Sequence, residues 1–71
     1  MSEIEAFRAR VEAFISKRGW TPTRFGREAA RDPLFVFQLR DGREPRTATR
    51  QKVAEFMDEG DAAELDAGAA A

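Results

Sequence analysis

The side chains with chemistry to offer in this chain are arginines. Ten of its twelve basic residues are Arg, and there is no histidine, cysteine or tyrosine beside them. Those absences close off most reaction chemistry. Without histidine the commonest general base and metal ligand is missing, and without cysteine there is neither a thiolate metal site nor a disulfide. The serines and threonines have no base to activate them and sit where helix caps are wanted. Gly19, Gly26, Gly42, Gly60 and Gly68 form no phosphate-cradling loop. Asp58, Glu59, Asp61, Glu64 and Asp66 lack the spacing of a calcium loop and read as a solvated acidic tail. The expectation is a protein that is not an enzyme and has no cofactor and no metal.

The net charge of −1 conceals a sorting of charge along the chain. Between Ser16 and Val53 there are ten Lys/Arg against four Asp/Glu, whereas Ala54 to Ala71 holds six acids and no base. A basic block followed by an acidic stretch points to a polyanion as partner. A merely solvated charged surface is the alternative.

Placing those arginines requires the elements that carry them. At 71 residues the chain is one domain near the lower limit for folding on a hydrophobic core alone. Ile4, Phe7, Val11, Phe14 and Ile15 make one apolar stripe of a first helix, which Lys17-Arg18-Gly19 ends. Trp20-Thr21-Pro22 is a helix start, with Trp20 and Phe25 spaced for a hydrophobic staple, so a second helix runs from Pro22 to Ala30. Asp32-Pro33 repeats that grammar, and Asp41-Gly42 is a stop, so LFVFQLR is a third helix from Pro33 to Asp41 rather than a strand. Val36 and Leu39 face inward, Phe35 lies near the edge of that face, and Leu34, Phe37, Gln38 and Asp41 lie opposite. After a polar loop containing Pro45, Thr47 or Thr49 caps a fourth helix with Val53, Phe56 and Met57 as its stripe, and Gly60 ends it. Residues 1–59 then form the domain and 60–71 an acidic, Ala-rich tail, frayed or partly helical. No apolar stretch approaches the roughly 18 residues of a membrane span, and MSEIEAFRAR carries charges where a signal peptide needs an apolar core. A soluble, cytoplasmic protein with no membrane partner is expected.

Two short helices joined by two or three residues must cross sharply, as in a helix-turn-helix. Here the chain resembles the lambda-repressor and Cro-like (XRE-type) helix-turn-helix domains of bacterial and phage regulators. The family pattern falls on Phe25-Gly26, Ala30, Asp32, Val36, Leu39, Gly42 and Pro45, within a resemblance that covers Val11 to Met57. The chain departs from it at Ala30, where glycine is usual, and at Pro22, where a polar residue is usual. The resemblance implies an all-α bundle of four helices, or five where the family's last helix is present.

It also implies a sequence-specific regulator that binds double-stranded DNA, with residues 33–41 in the major groove. Pro33, Leu34, Phe37 and Gln38 would then meet base edges. Gln38 suits adenine, and Leu34 and Phe37 suit thymine methyl groups. Phosphate contacts would come from Thr21 and Thr23 at a helix start and from Arg24, Arg27, Arg40, Arg43, Arg46 and Arg50. Family members usually act as dimers on palindromic sites, so a homodimer working on the nucleoid is expected. A module of the same fold that docks RNA polymerase or another regulator through Leu34 and Phe37 is the alternative.

Overall fold

Ser2 starts the first helix with a reciprocal cap. Its Oγ accepts the Glu5 N–H at 3.2 Å, and the Glu5 carboxylate accepts the Ser2 N–H at 3.4 Å. The computed structural model describes the backbone of residues 2–70 and the side chains of residues 2–62. Helix α1 (Glu3–Arg18) ends at Gly19, whose left-handed φ of 66° lets its N–H reach back to the Ile15 and Ser16 carbonyls. Helix α2 (Pro22–Phe25) begins where Thr21 and Pro22 place it, with Thr21 Oγ1 accepting the Arg24 N–H at 3.1 Å. It continues as a π-helical segment (Gly26–Ala30), so the expected span is filled although its second half is wider than an α-helix. Helix α3 (Phe35–Arg40) and helix α4 (Thr47–Ala70) complete an all-α architecture, with no strand among the described residues.

The core is made of apolar residues from every helix. Phe7, Val11, Phe14 and Ile15 of α1 pack with Phe25, Ala29, Phe35, Val36, Leu39, Val53 and Met57, and no polar side chain is buried among the described residues. Four rings pack together, Phe14 and Phe25 buried in the core and Trp20 and Phe56 half-buried against it. Phe14 and Phe56 each meet both Trp20 and Phe25, with centroids 5.5–6.0 Å apart in mostly edge-on arrangements. The staple expected between Trp20 and Phe25 is thus made through two further rings. No helix among the described residues is long and apolar enough to cross a membrane.

Four expectations need correcting. Gly60 does not end the fourth helix, which continues to Ala70. A Cβ there would lie 3.2 Å from the Phe14 ring, so the glycine instead permits close contact between α4 and α1. Arg18 exploits that contact by donating to the Gly60 carbonyl at 2.7 Å while lying 4.4 Å over the Phe14 ring. Thr47 is the first residue of α4 rather than the one before it, and the Arg46 carbonyl accepts the first bond, from the Arg50 N–H. Phe35 is not marginal but buried, because α3 approaches the π segment closely at Gly26. Finally, the left-handed turn residue is Arg31 (φ 55°) and not Ala30. The Gly26 carbonyl accepts both the Arg31 and the Asp32 N–H, which carries the turn one residue beyond Ala30.

Gly26 and Arg31 generate opposite expectations. An added Cβ at Gly26 would stand 2.2 Å from the Asp32 carbonyl oxygen, and backbone cannot yield cheaply. Gly26→Ala should destabilise by about 3 kcal/mol. Arg31→Gly, which removes the left-handed penalty, should stabilise by about 1 kcal/mol. Urea unfolding of the two variants measures both, and a neutral Gly26→Ala would refute the close approach.

Candidate functional site

Asp32 builds the entrance to α3. Its carboxylate accepts the Leu34 N–H at 2.9 Å and its carbonyl accepts the Phe35 N–H at 3.1 Å. Pro33 and Leu34 therefore form an exposed turn before the first helical residue, and the helix itself begins two residues later than the sequence suggested. Phe35, Val36 and Leu39 go to the core, which leaves Leu34 and Phe37 outside, 55 % and 45 % exposed. They are the exposed large apolar side chains among the described residues, Ile4, Trp20 and Phe56 being half-buried. Leu34 stands in the turn and Phe37 three residues on, within α3.

Gln38 is half-buried rather than fully outward. It lines a groove of about 400 Å³ with Phe35, Leu39, Arg43, Glu44, Pro45 and Arg46. The loop that makes the other wall is held by a glycine turn. Gly42 takes φ 96° and the Arg43 N–H donates to the Gln38 carbonyl at 3.1 Å. Folding thus brings Gln38 together with Arg43 and Arg46, which are five and eight residues away in sequence.

The other arginines divide by partner. Arg40 is held from both its Nε and Nη2 by the Glu12 carboxylate, at 2.7 and 2.8 Å, which ties α3 to α1. Arg24 donates to Glu28 at 2.8 Å and lies 4.1 Å over the Trp20 ring. Arg50 comes within 4.0 Å of Glu3. Arg27, Arg43 and Arg46 are exposed and have no ion pair among the described residues. Thr21, Thr23, Arg24 and Arg27 line a second, shallower depression with Glu28. The expected phosphate-contacting set therefore falls into one group at the start of α2, another in the loop after α3, and two arginines paired to α1.

Arg31 joins these as a residue that sequence reasoning missed. It is exposed, without an ion pair among the described residues, and stands in the turn leading to α3. Its signal was its place between the two short helices, obscured because the turn was assigned to Ala30. On the acidic side, Asp58 and Asp61 are paired with Arg10 of α1. Among the described residues no group of three or more acidic side chains is placed to hold a metal ion.

The Arg40 guanidinium bonded to Glu12 holds that carboxyl below its ordinary value of 4.5, with its charge and that of Arg8 adding to the effect against a smaller opposing burial. A carboxyl with a lowered folded-state pKa stabilises the fold above its unfolded value, and the contribution fades as pH falls through the lowered one. Both side chains are more than a third exposed, so solvent screening keeps the contribution within about 1 kcal/mol. Glu12→Gln should therefore lower stability modestly near neutrality, and its deficit against the parent should close well below pH 4.5. Urea unfolding at the two pH values measures this, and an undiminished deficit in acid would count against the ionic origin. Comparison with models of known families, with curated proteins and with solved structures returns no match to the chain.

Proposed function

We propose that this chain is a sequence-specific, double-stranded DNA-binding transcriptional regulator, built around a helix-turn-helix of the lambda-repressor and Cro-like kind. In this reading α2 with its π extension is the first helix of the motif, and residues 33–41 enter the major groove. One observation carries it. Leu34, in the entrance turn, and Phe37, on the short helix that follows, stand outside the core, and Arg43 and Arg46, without an ion pair among the described residues, share Gln38's groove. Folding has no use for that combination, whereas groove reading needs apolar and amide groups flanked by cations for phosphate.

The roles follow from the partners. Pro33, Leu34, Phe37 and Gln38 face base edges. Arg43 and Arg46 take phosphates beside the reading helix, and Thr21, Thr23, Arg24 and Arg27 take them at the start of α2. Arg24, Arg40 and Arg50 reach a phosphate only by leaving Glu28, Glu12 and Glu3, which makes them weaker contributors than Arg27, Arg43 and Arg46. A chain of this size offers few base contacts, so two copies act together on a palindromic site, their reading helices about one turn of DNA apart. The cytoplasm, on the nucleoid, is where such a protein works.

The exposure of Leu34 and Phe37 also favours a second reading, in which the same surface docks a protein such as RNA polymerase or another regulator. Titration of a random duplex pool against salt separates the two. The DNA reading expects log affinity to fall linearly and steeply with log salt. Arg43→Gln should weaken binding to all sequences alike and reduce that slope by about 1. Gln38→Ala should instead relax preference at one base pair, at about 1–3 kcal/mol. Absence of duplex binding at about 50 mM salt would favour protein docking.

A further inference from the structure

We propose that the reading surface of α3 recognises thymine 5-methyl groups, so that the target is A·T-rich where this helix lies. The inference rests on the DNA-binding reading above and names what that site selects.

It comes from what α3 has left after folding. Phe35, Val36 and Leu39 are buried. Guanine in the major groove presents two acceptors, O6 and N7, and is read by a cation that can donate to both. Arg40 is the one cation between Pro33 and Asp41, and its Nε and Nη2 are bonded to the two Glu12 oxygens, so turning that fork to guanine means leaving Glu12. Asp41 follows the last residue of α3, carries negative charge and cannot donate to guanine. What remains is Leu34, Phe37 and the Gln38 amide. The thymine methyl is the one apolar feature that the four bases present in the major groove. A glutamine amide matches adenine N6 and N7, and adenine is thymine's partner.

The surroundings select DNA over a protein as occupant. Arg43 and Arg46 line the Gln38 groove without an ion pair among the described residues, and Arg31 stands likewise at the entrance turn. Those charges complement a phosphate backbone on both sides of the apolar pair.

Uracil differs from thymine by the methyl group alone, which makes it the probe. Duplexes are selected from a random pool by the full-length chain, and the recovered sequence is resynthesised with deoxyuridine in place of thymidine, one position at a time. The recovered sites should be A·T-rich at their read positions. Removing each read methyl should weaken binding about fourfold, the equivalent of one buried methylene. Leu34→Ala and Phe37→Ala change exposed side chains and should keep the parent's circular dichroism spectrum, and each should bind alike the thymine duplex and the one lacking the methyl its own side chain reads. A recovered duplex bound equally well with uracil, or a guanine-rich one whose recognition is lost in Phe37→Ala, overturns the methyl inference while leaving DNA binding intact. Recovery of no duplex at all overturns the DNA reading and this inference with it.

Discussion

The fold turns on the approach of one backbone to another at Gly26. The Asp32 carbonyl oxygen occupies space within 2.2 Å of where a Cβ would stand. The Gly26 carbonyl meanwhile accepts two N–H groups from across the turn. Any side chain there would push α3 away from the π segment. With hydrogen in its place α3 comes close enough for Phe35 to be covered, and Val36 and Leu39 follow it into the core. The same rotation leaves Leu34 and Phe37 outside. Which members of the run Leu34-Phe35-Val36-Phe37 hold the molecule together, and which are free to touch something else, is decided eight or more residues earlier by a missing methyl group.

Charge is divided in a comparable way. Exposed ion pairs such as Arg10 with Asp58 or Arg24 with Glu28 contribute at most about 1 kcal/mol each. Their larger consequence is to remove particular arginines from circulation. Arg10, Arg24, Arg40 and Arg50 all have carboxylates within reach, whereas Arg27, Arg31, Arg43 and Arg46 lie in the central block and have none among the described residues. The near-neutral total of the chain therefore says little about the field at its surface.

Local grammar made much of this legible. Thr21-Pro22 and the glycines at 19 and 42 each mark a helix end through a hydrogen bond or a dihedral within a few residues, and Asp32-Pro33 marks a start that the turn at Pro33-Leu34 delays to Phe35. The features that escaped are tertiary. Gly60 looks like a stop because glycine costs about 1 kcal/mol in a helix, and only the Phe14 ring packed against it explains its presence inside α4. Arg31 was passed over because a left-handed residue usually declares itself as glycine, and the π widening that moves the turn onto it leaves no mark in apolar periodicity. The candidate site divides along the same line. The outward placement of Leu34 and Phe37 follows from a helical wheel, but Gln38's groove needs the loop to fold back, and the Arg40–Glu12 pair spans 28 residues.

Between the two proposed partners, the source of affinity is the deciding quantity. A protein interface of ordinary stability covers about 800 Å² on each side and takes most of its energy from a few well-packed anchors. One apolar side chain in the entrance turn and one on a six-residue helix do not reach that size, and the groove of Gln38 includes Arg43, Glu44 and Arg46, which an apolar partner would have to desolvate. DNA makes a different demand. Phosphate neutralisation supplies most of the binding energy through counterion release, and it can be spread over arginines that need only stand exposed and unpaired. The reading helix then has only to discriminate, for which one amide and two apolar groups suffice. An apolar pair too small to hold a partner by itself, set among cations able to do the holding, is a division of labour that suits a nucleic acid better than a protein.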